Sequence, residues 1–356
     1  PSSNERGSRG APSPRRPIGV AMMRSTRAAA NELARGATVG KNARYEVTKL
    51  INRGGTALVY EGVDRETGEK VALKCLDVGD GARVKVPLAA VKREIKYATK
   101  LMASTSRVVR LMNVVNDGED LLVLVFELAR GVDVLDFINA RGGRLDEVTA
   151  RRLFSQLVEA IRMIHDHGLC HRDVKPENAI VCEPHGDLKL IDFGLAKGLD
   201  SVATRAVGTP DYMAPEMLDK HDGDGNVRRT KYDAKACDVW SCGVFCYIML
   251  TGTYPFQNPD RPNSVKLTLE NIVKGNIAPM SRSISNEVKD LILRMLHPDP
   301  KKRITLREVS RHPWVLAGSP ARGTGAVSRR LSLVELGRRA RAMLTGQRRK
   351  SEDTTI

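Results

Sequence analysis

"HRDVKPEN", residues 171–178, decides how the rest of the chain is read. Before it, Ala150, Leu153, Phe154, Leu157, Ile161 and Ile164 recur at helical spacing behind a start signal at Asp146. A short strand pattern follows, so the octapeptide is a loop between a long helix and a strand. Asp173 in this loop can orient a hydroxyl and accept its proton. Lys175 can neutralise a phosphoryl group in transit, and Asn178 can ligate a metal. Each residue alone also has an ordinary explanation, as a turn residue or a surface charge, so the neighbours must decide.

The neighbours fit the same chemistry. Fourteen residues after Asn178 comes "DFG" (192–194), which sets a second metal-binding carboxylate, Asp192, behind the strand pattern "LKLI". "GTPDYMAPE" (208–216) then closes a loop. Upstream, "ALVYEGVDRETGEKVALKCL" is two β-rich runs joined by the hairpin signal Glu66–Thr67–Gly68–Glu69. Its "VALK" (71–74) ends in Lys74, and "VKREIKYATKL" (91–101) predicts a charged helix whose Glu94 can pair with that lysine. "LLVLVFEL" (121–128) reads as a buried strand, and "DVWSCGVFCYIML" as a helix through the middle of a domain.

In this order and context the motifs resemble the eukaryotic protein kinase family, over roughly residues 45–315. The resemblance implies an α+β, bilobed fold: a small β-rich N-lobe with one regulatory helix (41–129) and a larger, mainly helical C-lobe (130–316). It implies ATP-dependent phosphoryl transfer with ATP and Mg²⁺. By resemblance Lys74 holds the α- and β-phosphates and Glu94 holds Lys74. Asn178 and Asp192 carry Mg²⁺, while Asp173 aligns the acceptor hydroxyl with Lys175 beside it. Phe126 is the gatekeeper, and Glu127 to Ala129 form the hinge that holds adenine. Asp238 in "CDVWSCGV" braces the catalytic loop, and Arg303 in "PDPKKRIT" pairs with Glu216. Lys175, two residues after Asp173, and Thr209 in "GTP" resemble serine/threonine kinases. Glu177 and Asp133 match positions where related kinases bind a substrate arginine or the ATP ribose, so basic substrates are expected. The pattern is most like the calcium/calmodulin-dependent and AMP-activated branch.

"INRGGTALVYEG" (51–62) departs from the family's phosphate-covering loop. The glycine positions of G-x-G-x-x-G fall on Asn52, Gly54 and Ala57, so only the middle glycine remains. The stretch lies between two strands and opens no helix, which excludes dinucleotide-fold and Walker loops. Asn tolerates positive φ, and Ala57 adds one methyl group. The expected nucleotide site runs from this lid (Ile51, Asn52, Gly54, Ala57, Val59) through Ala72 and Lys74 to Phe126, Glu127, Ala129 and Asp133. A pseudokinase scaffold with impaired ATP binding is the alternative that the missing glycines suggest. Arg172, before the catalytic aspartate, calls for a phosphate on the activation loop. The usual threonine position holds Arg205, so Thr204 is the expected phosphosite, with Ser201 further back.

The net charge of +16 is concentrated at the ends, with +5 on residues 1–40 and +6 on residues 317–356. Arg, Ser, Pro and Gly without apolar periodicity make residues 1–40 an expected disordered segment, with order beginning near Tyr45. Its Arg-rich, acid-poor composition is also one that transit peptides show. A nucleic-acid module lacks any groove-reading or stacking motif here, so no specific nucleic acid is expected. No apolar run reaches the ~18 residues of a membrane span. The six cysteines contain no C-x-x-C pair, which argues for buried thiols in a reducing, intracellular setting, cytoplasmic or nuclear. "DGDGN" (222–226) lacks the glycine an EF-hand turn needs, and in "HDHGLCH" (165–171), with three His and one Cys, His171 is accounted for by the catalytic loop, so no metal site is expected there. In the tail, Leu333, Leu336, Ala340 and Met343 recur at helical spacing beside Arg338, Arg339 and Arg341. Such a basic amphipathic stretch suits calmodulin, an anionic membrane or a groove on its own kinase domain. "RRLS" (329–332) has the form of a basic kinase substrate.

Overall fold

In the computed structural model the described residues are 32–55, 57–79, 87–101, 106–118, 120–193, 196–198, 210–218, 220–221, 227–228 and 231–317. The first half is an antiparallel sheet of six strands: β1 (Thr38–Val39), β2 (Tyr45–Arg53), β3 (Leu58–Asp64), β4 (Lys70–Asp77), β5 (Leu111–Asp117) and β6 (Leu121–Glu127). Their spatial order is β1-β2-β3-β4-β6-β5. Both faces of its centre are covered, which is why β6 is an unbroken apolar run rather than an alternating one. Val71, Leu73, Cys75, Val123 and Val125 pack with Tyr45 and Tyr60 on one face. Leu76, Leu122, Leu124 and Phe126 pack on the other against Val91, Ile95 and Ala98 of helix α1 (Leu88–Leu101). Alternation along β4 therefore turns Ala72, Lys74 and Leu76 toward α1.

The chain enters the second lobe through β7 (Gly131–Asp133) and continues through α2 (Val134–Asn139) and α3 (Glu147–Asp166). Short strands follow: β8 (Leu169–Cys170), β9 (Ala179–Cys182), β10 (Asp187–Leu190), β11 (Lys197–Gly198), β12 (Lys220–His221) and β13 (Val227–Arg228). Helices α4 (Ala234–Thr251), α5 (Val265–Lys274), α6 (Asn286–Met295), α7 (Leu306–Val309) and α8 (Pro313–Leu316) complete it. Every residue of α4 from Cys237 to Leu250 is buried, as its all-round apolarity requires. Trp240 stacks on Phe256 with ring centroids 5.0 Å apart. Asp146 caps α3 by accepting from the Thr149 N–H. The next residue, Glu147, accepts from Ser285 Oγ at 2.7 Å and from Trp314 Nε1 at 2.7 Å, tying α6 and α8 to α3.

The bilobed α+β architecture agrees with the expectation, but the fold begins earlier than Tyr45. Residues 32–44 lie along the sheet: β1 pairs with β2, the Gly36 N–H donates to Val47 O, and the Leu33 N–H donates to the Tyr60 hydroxyl. Backbone donors make most of these contacts, so no apolar period marks them in the sequence. All six cysteines are free, five of them buried. Among the described residues no helix is long and apolar enough to cross a membrane.

Candidate active site

The cleft between the lobes gathers charges from both. Because 72, 74 and 76 of β4 face α1, the Lys74 ammonium meets Glu94, with Nζ 2.6 Å from the carboxylate. Glu94 sits on the buried stripe of α1, between Val91 and Ile95. A second carboxylate, Asp192, comes across from the C-lobe to within 2.8 Å of the same Nζ. Burial alone would lower the Lys74 pKa, but the fields of Asp192 and Glu94 outweigh it and raise it above the ordinary lysine value. This lysine is a fixed cation between two anions.

The lid over this triad is the β2–β3 hairpin. Asn52 stands opposite Val59 and Val59 opposite Lys74, so the lid strand and the lysine share one register. The Gly54 N–H donates to Ala57 O at 2.9 Å, closing a tight turn. A Cβ at Gly54 would sit 3.2 Å from that carbonyl, a tight contact that the middle glycine avoids. Asn52 lies in β2 directly after a register shift between Leu50 and Asn52, and its φ is not positive, so its tolerance of left-handed backbone is not what suits it to the site. Ile51 is exposed on the lid. Ala57 of the lid and, below it, Ala72, Ala129 and Ile191 are half-buried around the cluster holding Phe126, forming an apolar floor. The hinge is fixed from outside. The Glu127 N–H donates to Arg110 O, and its carboxylate binds Lys189 Nζ at 2.6 Å.

The C-lobe half is built around a buried carboxylate. Arg172 adopts φ 68° and Asp192 φ 63°, the left-handed region that costs an L-residue roughly 1–2 kcal/mol. Asp238, fully buried on α4, accepts from the His171 N–H at 2.9 Å, from the Arg172 N–H at 2.8 Å and from His165 Nε2 at 2.8 Å. Hydrogen bonds to a charged group contribute about 1.5–3 kcal/mol each, enough to hold Arg172 in its strained conformation. Burial would lift the Asp238 carboxyl, but the His165 hydrogen bond, the two histidines' fields and the Arg172 N–H hold it below the usual range. Asp173 then projects into the cleft, where its Oδ2 accepts from Lys175 Nζ at 2.9 Å and from Asn178 Nδ2 at 2.8 Å. The His171 ring packs on Phe193, centroids 5.4 Å apart, which fixes the residue beside Asp192.

Outside this core lie three further carboxylates, Glu177, Asp133 and Glu216. Burial pushes Glu177 up from its ordinary value, with a contribution from neighbouring Asp133, and Tyr212 donates to its Oε2 at 3.3 Å. Asp133 caps α2, accepting from the Asp136 N–H at 2.8 Å, and burial raises its pKa too. Glu216 forms a two-pronged pair with Arg303 at 2.6 and 2.9 Å, and Arg303 also donates to Ala236 O.

The donor set fits a hard divalent cation. Asp192 offers carboxylate oxygens on a side chain 46% exposed to the cleft, and Asn178, its amide nitrogen engaged with Asp173, has its amide oxygen as remaining donor atom. The lid turn, Lys74 and the apolar floor fit a nucleotide phosphate chain and a flat base. The structure thus brings together Lys74, Glu94, Asp173, Lys175, Asn178 and Asp192. Ser201, Thr204 and Thr209 of the activation loop, the 222–226 segment and residues 318–356 of the tail lie outside the described residues. His165 is the residue that sequence reasoning missed. With Cys170 and Asp238 it forms a buried trio whose ligand atoms lie within 4.8 Å, but the carboxylate of that trio is already taken by the loop it braces.

Comparison with known proteins agrees with this geometry. A model described as the protein kinase domain matches residues 45–315. The chain is 38% identical over 287 residues to CBL-interacting protein kinase 16 of Oryza sativa subsp. japonica, covering 77% of this chain and 57% of that protein. It is 37% identical over 281 residues to serine/threonine-protein kinase SAPK4 of the same organism, with 78% and 73% covered. Against serine/threonine-protein kinase SRK2E of Arabidopsis thaliana it is 36% identical over 282 residues, again 78% and 73%. The chain thus spans little more than half the length of the CBL-interacting relative, whose similarity fits the calcium/calmodulin-dependent and AMP-activated branch. With the catalytic-loop residues, Asp192 and the lysine–glutamate pair present at one cleft, the chain belongs to the protein kinase family, on its serine/threonine side.

Proposed function

We propose that this chain transfers the γ-phosphoryl group of ATP to serine or threonine hydroxyls of proteins, favouring substrates with arginine near the acceptor. One observation carries the reading: Asp173, held by Lys175 and Asn178, faces a cleft in which Lys74 is fixed between Glu94 and Asp192. Phosphoryl transfer asks the protein for position and charge rather than covalent chemistry. Lys74 would bind the phosphate oxygens, oriented by Glu94. Asp192 and Asn178 would hold Mg²⁺, which when bound neutralises charge on the phosphates. Asp173 would orient the acceptor hydroxyl and receive its proton, and Lys175 beside it would meet the negative charge of the moving group. The small side chains Ala57, Ala72 and Ala129 leave room for adenine beside Phe126. Glu177 and Asp133 would pair with substrate arginines. The intact charge set supports an active enzyme over a scaffold with impaired ATP binding.

Regulation is proposed from the sequence. Thr204 would carry the phosphate that meets Arg172, and full activity of a Thr204→Ala protein after treatment with an upstream kinase would remove that idea. The basic tail would bind calmodulin or dock on the kinase domain. In the second case truncation after Leu316 raises the rate toward a peptide, and an unchanged rate refutes it. The buried free thiols fit work in a reducing compartment. The catalytic reading is tested with peptides differing only in arginine: loss of arginine should raise KM, and Glu177→Ala should erase the difference. Equal KM values for both peptides in the unmodified protein would refute the substrate preference.

A further inference from the structure

The family match begins at Tyr45, yet the fold begins before it. From Val39 the chain runs back along the sheet toward the tip of the lid. Among the described residues, β2 beyond Val47 has β3 on one side and no strand on the other, so its distal half is a sheet edge. Two adjacent residues reach that half. The Glu32 carboxylate receives Arg53 Nη2 at 2.7 and 2.8 Å, and Arg53 is the last residue of β2, directly before Gly54. The Leu33 N–H donates to the hydroxyl of Tyr60 on β3 at 2.9 Å, and Leu33, like Leu50 and Leu58, packs against the buried cluster that holds Tyr60. One dipeptide is therefore fastened to both strands of the same hairpin, close to its turn.

We infer that Glu32–Leu33 is a clip that sets the position of the phosphate lid, and that both are positioning residues for ATP. The inference rests on the reading of the β2–β3 hairpin as the cover for the ATP phosphates. A hairpin edge without a neighbouring strand frays at its turn, and here the turn must present Gly54 to the phosphates. The clip acts on the outgoing strand through charge and on the returning strand through a hydrogen bond, so it restrains the lid without touching the nucleotide. With two of the family's three lid glycines replaced by Asn52 and Ala57, and with this clip outside the family match, the lid of this chain is more tightly held than its turn alone would be.

The test uses the full chain and ATP with Mg²⁺. Glu32→Gln removes the ion pair at an exposed position, and Tyr60→Phe removes the hydroxyl while keeping the ring. Each should raise the Kd for ATP roughly two- to fivefold, the range an exposed ion pair or single hydrogen bond supports. The KM for the peptide should stay within about twofold, and high salt should shrink the difference for Glu32→Gln. A purely structural clip would lower the thermal midpoint and leave the Kd for ATP unchanged. A Glu32→Gln protein with unchanged Kd for ATP overturns the inference, whatever its thermal stability and even where Tyr60→Phe fails to fold. If the unmodified chain binds no ATP, the functional reading falls instead.

Discussion

The catalytic loop and the phosphate lid face each other across one cleft, but different physics holds them. The loop hangs from Asp238, a fully buried carboxylate with three hydrogen bonds, and it keeps Arg172 in a strained conformation. The lid is an exposed hairpin edge, closed by one backbone hydrogen bond at Gly54 and held by the partly exposed Glu32–Arg53 pair. Buried charge pairs are costly to break and surface pairs contribute about 0–1 kcal/mol. The geometry that moves the proton is therefore over-determined, and the geometry that grips the nucleotide is adjustable. Changes in the first should abolish activity or folding; changes in the second should tune the affinity for ATP.

The sharpest way to break this contrast is Asp238→Ala. It leaves His165 Nε2 and two backbone N–H groups without their acceptor and should cost roughly 3–5 kcal/mol, read by chemical denaturation. The linkage has the matching sign. The folded-state pKa of Asp238 is depressed, so its stabilisation is present above the unfolded carboxylate value and is lost as pH falls through that value toward the folded one. Next comes Asp173→Asn, which keeps the hydrogen bond geometry but not the base. It should lower kcat by roughly 10²–10⁴ with little change in KM for ATP, measured by steady-state kinetics.

A smaller effect is expected at the substrate carboxylates. Because burial raises Glu177, its charge is lost at a higher pH than that of an ordinary glutamate. The preference for an arginine peptide over its alanine counterpart should therefore decline as pH falls through mildly acidic values, and Glu177→Gln should flatten that profile. The smallest effect belongs to the lid. Restoring glycine at Asn52 and Ala57 adds backbone freedom worth about 0.5–1 kcal/mol per site. Since Asn52 is paired with Val59 and its φ is not positive, the change should raise the KM for ATP by a few fold; a lower KM would show that the missing glycines had been limiting.

Much of this was legible in the sequence because chemistry leaves conspicuous residues. Lys74, Asp173, Asn178 and Asp192 announce themselves by type, order and spacing. Glu94 is a charge on the apolar stripe of α1, which marks it as a partner for something buried. The residues that set these groups in place were harder to read. His165 lies on α3 as one more helix residue, and its role depends on Asp238, 73 positions away. The segment 32–44 attaches through backbone donors and single side chains, without a hydrophobic period, so its composition reads as tail. Asn52 looked like a substitute for positive φ, but whether a turn needs positive φ is fixed by the register of β2 on β3, which composition does not encode.

The most direct test of the account is transfer of ³²P from labelled ATP, with Mg²⁺, to a serine peptide bearing arginine upstream, using the full chain and its Asp192→Asn variant. The account predicts label on the serine with the unmodified chain, and a loss of roughly 10²-fold or more in the variant, whose fold and thermal midpoint stay close to the parent. No transfer by the unmodified chain after treatment with an upstream kinase, or equal transfer by both proteins, would contradict it.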